Sequence, residues 1–180
     1  MFVDDIYQPV QWHDYFVMVG GGSAALTGLV FIALSLNTYA VKVNTAHRWR
    51  ATGSLMGLGA VFLVSALVLM GDQGHRAVGS EVLVVSGFAY LFYAIGVIQS
   101  RRPGSSDEPL SLRLQIGTSI CYLLEVSGAI VFIIGNIAGL YMICVAIAAS
   151  VCFFLTAAWR LFVGLAMARP ESEPLPERGP

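Results

Sequence analysis

The sequence predicts an all-α fold: an integral membrane bundle of five transmembrane helices, N-terminus outside and C-terminus cytoplasmic. The spacing of charge is the first observation behind this. No charged residue falls between Asp14 and Lys42, between Arg50 and Asp72, between Glu81 and Arg101, or from Val126 to Trp159. Each gap approaches or exceeds the about 20 apolar residues that carry a helix across the hydrocarbon core. Composition is the second. Of 180 residues, 57% are hydrophobic and 12% charged, against about 25% charged in an ordinary soluble domain. A chain this short cannot hide so much apolar surface in a water-soluble core, whereas lipid covers the outside of a membrane bundle. The third observation is the sorting of cations between the connections, developed below.

The first span is about residues 15–37, the second 51–71 and the third 82–100, each bounded by the nearest charges. Two spans must share the next stretch. From Leu114 to Trp159 there are 46 residues with a single charge, Glu125, far more than one crossing needs, since even long spans rarely exceed about 25 residues. The break is Gly135-Asn136, followed by Gly139; Gly and Asn accept the left-handed conformation that ends a helix. Span four is then about 114–135 and span five about 138–159, with a helical continuation to about Met167.

Connections alternate in charge. Lys42, Arg48 and Arg50, then Arg101, Arg102 and Arg113, then Arg160, Arg169 and Arg178 fall on one side of the membrane, and only Arg76 on the other. Nine cations against one is a strong positive-inside signal; it requires an odd number of spans and an external N-terminus. Residues 1–14 are expected as an extracytoplasmic interfacial segment. They carry Asp4, Asp5 and Asp14 and no Lys or Arg, the wrong charge for the start of a secretory signal. Trp12, Tyr15 and Phe16 mark one interface and Trp159 the other, at the level aromatic rings favour. The transmembrane domain is 15–169. Residues 170–180, rich in Pro and charge with little to bury, are expected as a disordered cytoplasmic tail.

The sequence argues against several function classes. A net charge of −1 without a basic, aromatic-interleaved patch speaks against nucleic acid. Cys121, Cys144 and Cys152 form no CxxC pair and have no His at ligand spacing, so they read as packing residues and no metal or cofactor is expected. Gly20-Gly21-Gly22-Ser23 lacks the Lys-Ser/Thr of a phosphate loop. Ser23 has no histidine within the spans to act as its base, since His13, His47 and His75 all lie outside them. No catalytic residue is expected.

Small residues instead suggest helix contacts. On a helical wheel Gly20, Ala24, Thr27 and Ser35 share a face of span one with Ser23 and Gly28 on its flanks, and Gly53, Gly57 and Ala60 do so on span two. Such faces let backbones approach closely in lipid. They are expected to mediate packing within the bundle, a homo-oligomer interface, or contacts with other membrane proteins. On this reading Gly57→Leu disrupts assembly, and Gly139→Leu, at an exposed start of span five, is mild.

The sharpest single feature is Glu125, near the middle of span four. An acidic residue there costs about 2.5–3.5 kcal/mol on insertion scales, and such residues usually face the bundle interior or a water-filled cavity. Thr118, Cys121, Tyr122 and Glu125 form one stripe, and Ser86, Tyr90 and Tyr93 a matching stripe on span three. Tyr90 and Thr27 lie near the centres of their spans, so the candidate mid-membrane polar site comprises Glu125, Tyr90, Tyr93, Tyr122 and Thr27. Two roles fit it: a proton-linked or ion-conducting site, or a neutral carboxyl that bonds Tyr or Thr and sets helix register.

The stretch Ser23 to Asn37, SAALTGLVFIALSLN, preceded by Trp12 and Phe16 and followed by a basic loop, resembles a group of small uncharacterised bacterial multi-pass inner-membrane proteins. The likeness covers about a tenth of the chain. It implies a bacterial inner-membrane setting, with the lipid bilayer as partner, and no activity that could be carried onto residues here. The functional expectation is a small oligomeric channel or proton-coupled transporter. The alternative is a non-catalytic structural or accessory protein that binds other membrane proteins through small-residue helix faces.

Overall fold

The computed structural model describes residues 9–36, 45–100 and 112–167. They form five helices: α1 (Pro9–Leu36), α2 (Thr45–Val68), α3 (His75–Ser100), α4 (Leu112–Ile133) and α5 (Ala138–Met167). Each contains a stretch long and apolar enough to cross a membrane: Val10–Ser35, Ala51–Val68, His75–Gln99, Leu114–Ile133 and Ala138–Arg160. The expected tail and the first eight residues lie outside the described residues.

Helices α2, α3, α4 and α5 close a ring in which each packs on its chain neighbour and α5 returns to α2. Helix α1 packs on the outside of this ring, mainly against α2 and more lightly against α5. The Tyr15 hydroxyl donates to the Cys144 carbonyl at 2.6 Å, and Trp12 meets Tyr141 edge-on at 4.7 Å. The start of α1 therefore lies at the same end of the bundle as the start of α5.

The turn between α4 and α5 forms where Gly135-Asn136 announces it. Gly135 has φ 95°. Its N–H donates to Phe132 O at 2.9 Å, and Asn136 N–H donates to Val131 O at 3.2 Å. This pair of bonds is the Schellman arrangement that satisfies the last carbonyls of a helix. Asn136 then caps the next helix, its Oδ1 accepting from Ala138 N–H at 2.9 Å. The α2–α3 turn instead places Asp72 at φ 59°, a conformation that Asp tolerates better than most residues.

One boundary moves substantially. Helix α3 starts at His75, not at residue 82, because Arg76 and Glu81 are accommodated within its first two turns. Arg76 is exposed, and the Glu81 carboxylate accepts from Gln73 Nε2 at 3.1 and 3.3 Å. Charge therefore marks the membrane edge here without ending the helix. In the same way α1 begins at Pro9, with His13 and Asp14 exposed on its first turns.

The small-residue faces sort differently from expectation. A methyl carbon on Gly20 would stand 2.8 Å from Ser65 Cβ, and one on Gly57 would collide with the Phe154 ring; these two glycines do admit α2 and α5. Ala24 and Gly28 are exposed, and nothing lies near Gly28 or Gly53 where a side chain would begin. The packed face of α1 runs instead through Phe16, Gly20, Ser23 and Val30. Closest approach occurs where no contact face was expected, between α4 and α5. A methyl carbon on Gly128 would stand 2.8 Å from the Gly139 carbonyl oxygen, and one on Gly139 would strike Gly128 O and the Phe132 backbone. Gly139 is thus buried against α4, not at an exposed helix start, because the tight turn draws the two helices together directly after it.

Candidate functional site

Glu125 is buried between α3 and α4, 4% exposed. Its Oε1 accepts a hydrogen bond from Ser86 Oγ at 2.8 Å. Both residues sit near the middle of their apolar stretches, Leu114–Ile133 and His75–Gln99. At about 1.5 Å rise per residue, each lies within roughly 2 Å of its helix centre. A charge at this depth is costly, whereas a neutral carboxyl with a hydrogen-bond partner is tolerable.

The surroundings divide along the helix axes. Toward the α4–α5 turn the neighbours are apolar: Val78, Val82, Ala129 and Phe132 belong to one buried cluster. Toward the opposite end lies a second cluster, which includes Ala89, Tyr122 and Phe154. Glu125 and Ser86 occupy the seam between them. The second side carries the polar atoms. Tyr122 packs against Tyr90 and Tyr93, ring centroids 5.8 Å apart in each case. The Tyr93 hydroxyl donates to the Gln115 carbonyl at 3.2 Å. Thr118 and Gln115 are buried on the same helix, and the Thr118 hydroxyl donates to Leu114 O at 2.9 Å. Polar groups therefore run about three turns from Glu125 toward the start of α4, and apolar ones fill the space beyond Glu125.

Of the residues expected to form the site, Glu125, Tyr122, Tyr90 and Tyr93 come together. Thr27 does not join them. Its hydroxyl donates to Ser23 O of its own helix at 2.7 Å, and α1 packs on α2 and α5. Tyr90 touches Tyr122, but the hydrogen bond to Glu125 comes from Ser86, one turn away along the Tyr90 stripe. With α3 beginning at His75, the helix centre falls near residue 87 rather than 91, and Ser86 becomes the group level with Glu125. Ser150 of α5 is a further polar residue at this depth, 1% exposed. It lies beside the Cys121 thiol, which in turn neighbours Glu125. Nothing in local composition distinguishes Ser150 from the other small residues of α5; its position follows only from the α4–α5 contact. Among the described residues no group of three or more His, Cys, Asp or Glu comes together as a metal site.

Comparison with protein-family models, with curated proteins and with solved structures finds no match for this chain. Fold and composition define a polytopic α-helical membrane protein with five candidate crossings and, among the described residues, one buried carboxyl, near the middle of its own apolar stretch.

Proposed function

We propose that this chain is a multi-pass protein of a bacterial inner membrane, N-terminus outside, that moves protons or a proton-coupled small solute through the site around Glu125. The observation that carries this reading is the buried Glu125 carboxyl with its Ser86 donor at mid-membrane depth. Intramembrane carboxyls are costly to insert, and they commonly mark proton relays and ion paths. The one-sided run of polar groups adds support: Gln115, Thr118 and the three tyrosines give Glu125 polar neighbours toward the end of the bundle where α4 starts. Arg101, Arg102 and Arg113 precede or open that helix, so the positive-inside rule assigns this end to the cytoplasm.

The test is flux into liposomes containing purified protein and a pH-sensitive dye. The parent should dissipate an imposed pH gradient faster than empty liposomes. Glu125→Gln should retain the fold and lose that flux, because an amide keeps the shape and hydrogen bonding but cannot release a proton. Equal flux from parent and Glu125→Gln overturns the proposal.

A second reading is favoured by one observation: Gly21, Gly22, Ala24 and Gly28 are exposed on α1. A small-residue face turned toward lipid suits contact with another membrane helix. On this reading the chain is an accessory protein, Glu125 sets helix register, and parent liposomes show no flux.

A further inference from the structure

Helices α1 and α5 are held together at one end and part at the other. Near their starts they are tied by Tyr15 and Trp12. Farther along, Phe154 turns inward over Gly57 of α2 and leaves the α1–α5 contact thin. The small side chains of Ala33 and Ala158 do not fill the gap. The result is an open groove of about 570 Å³ lined by Leu26, Leu29 and Val30 of α1 and Leu155, Thr156 and Trp159 of α5, with the two alanines at its floor. That volume lies within the range of about 300–1,000 Å³ typical of sites for small ligands. Its one hydroxyl is already used, since Thr156 Oγ1 donates to Cys152 O at 2.8 Å. Along its length the groove therefore offers an occupant mainly hydrocarbon contact, with the Trp159 indole N–H at its outer end as a donor.

Its position says which hydrocarbon. The lining on α1 runs from Leu26 to Ala33, roughly 10 Å along the axis, within the half of the crossing beyond the helix centre. This fits one leaflet of a core about 30 Å thick. Trp159 is 68% exposed at the outer end of the groove, and Arg160, also exposed, follows it. Beyond α1 the chain continues toward Lys42, Arg48 and Arg50. Both helices that line the groove thus lead into the basic side of the protein, with an aromatic ring at headgroup level between. We infer that the α1–α5 groove binds one phospholipid with an anionic headgroup, its acyl chain between Leu29 and Leu155 and its headgroup at Arg160. A basic residue near an anionic lipid surface contributes enough to give about fivefold preference over a zwitterionic headgroup.

Native mass spectrometry on the purified full chain tests this, after exchange into micelles holding equal phosphatidylglycerol and phosphatidylcholine. The parent should retain one lipid per chain, with phosphatidylglycerol favoured about fivefold. Ala33→Phe, which fills the groove floor, should abolish retention of either lipid. Arg160→Gln should keep a retained lipid and lose the preference. Equal retention of the two lipids by the parent overturns the inference, and so does undiminished retention in Ala33→Phe. A dimer mass without lipid would assign the groove to a second copy instead and would equally overturn it. A second measurement covers misfolding of Ala33→Phe. In parent protein carrying Trp12→Phe and Trp49→Phe, brominated-chain phosphatidylglycerol should quench Trp159 more strongly than brominated phosphatidylcholine, and equal quenching counts against the site.

Discussion

Ser86 of α3 and Glu125 of α4 stand level at the centres of their helices, joined by a 2.8 Å hydrogen bond. The bond links two helices at the one depth where water is least available to replace it. Interhelical hydrogen bonds in membranes are worth about 0.6 kcal/mol on average and up to about 1.7. Ser86→Ala should therefore lower thermal stability in detergent by an amount in that range, and Glu125→Gln by less. Glu125→Leu combined with Ser86→Ala removes both polar groups and should be better tolerated than Ser86→Ala alone, because no buried acceptor is left without its donor. Additive losses in this cycle would show that the two side chains do not act as a pair.

Contact between α4 and α5 makes a sharp prediction about glycine. Gly139→Leu should prevent assembly or sharply reduce yield, since the new side chain would meet backbone atoms of Gly128 and Phe132. Backbone cannot give way as a side-chain tip can, so the cost should exceed the about 1–3 kcal/mol usual for overpacking. Gly57→Leu should also be damaging, because it displaces the Phe154 ring. Gly53→Leu, with nothing near the added carbon, should behave like the parent in a detergent melting assay. Equal sensitivity at Gly53 and Gly139 would contradict the packing described.

The two turns should respond to substitution in opposite ways. Gly135 holds φ 95° and Asp72 φ 59°. A side chain in the left-handed region costs roughly 1–2 kcal/mol, so Gly135→Val should lower the melting temperature measurably. Asp72→Gly should leave it unchanged or raise it. A rise for Gly135→Val would mean that the turn is not built as seen.

Orientation is testable without any activity. On the proposed orientation, the nine-to-one distribution of cations predicts Asp5 and Gly74 outside and Ser106 inside. Cysteines introduced at these positions should react with an impermeant maleimide on intact cells at the first two and only after lysis at the third. Labelling of Ser106 on intact cells would reverse the orientation, and with it the leaflet assigned to the lipid groove.

The five crossings were legible in the chain because their cause is local. Lipid demands about 20 apolar residues in each span, and the charge gaps display them one by one. Gly135-Asn136 was legible for the same reason: it needs only the φ preference of glycine and the capping oxygen of asparagine. Glu125 also stands out by itself, as the lone acid in a long apolar stretch. Its partner was not legible. Taking Glu81 as a boundary shortened α3 by seven residues and moved its apparent centre toward Tyr90. The folded chain lets Glu81 bond Gln73 at the helix start, and so brings Ser86 level with Glu125. Thr27 looked equivalent to Tyr90 by depth, but depth does not say which helices touch, and α1 packs outside the ring. The small residues show the same limit. Gly53, Gly57, Gly128 and Gly139 are alike on a helical wheel. Only the tertiary structure decides that three of them lie against a neighbouring helix while Gly53 meets open space, because helix contact depends on where the partner helix crosses.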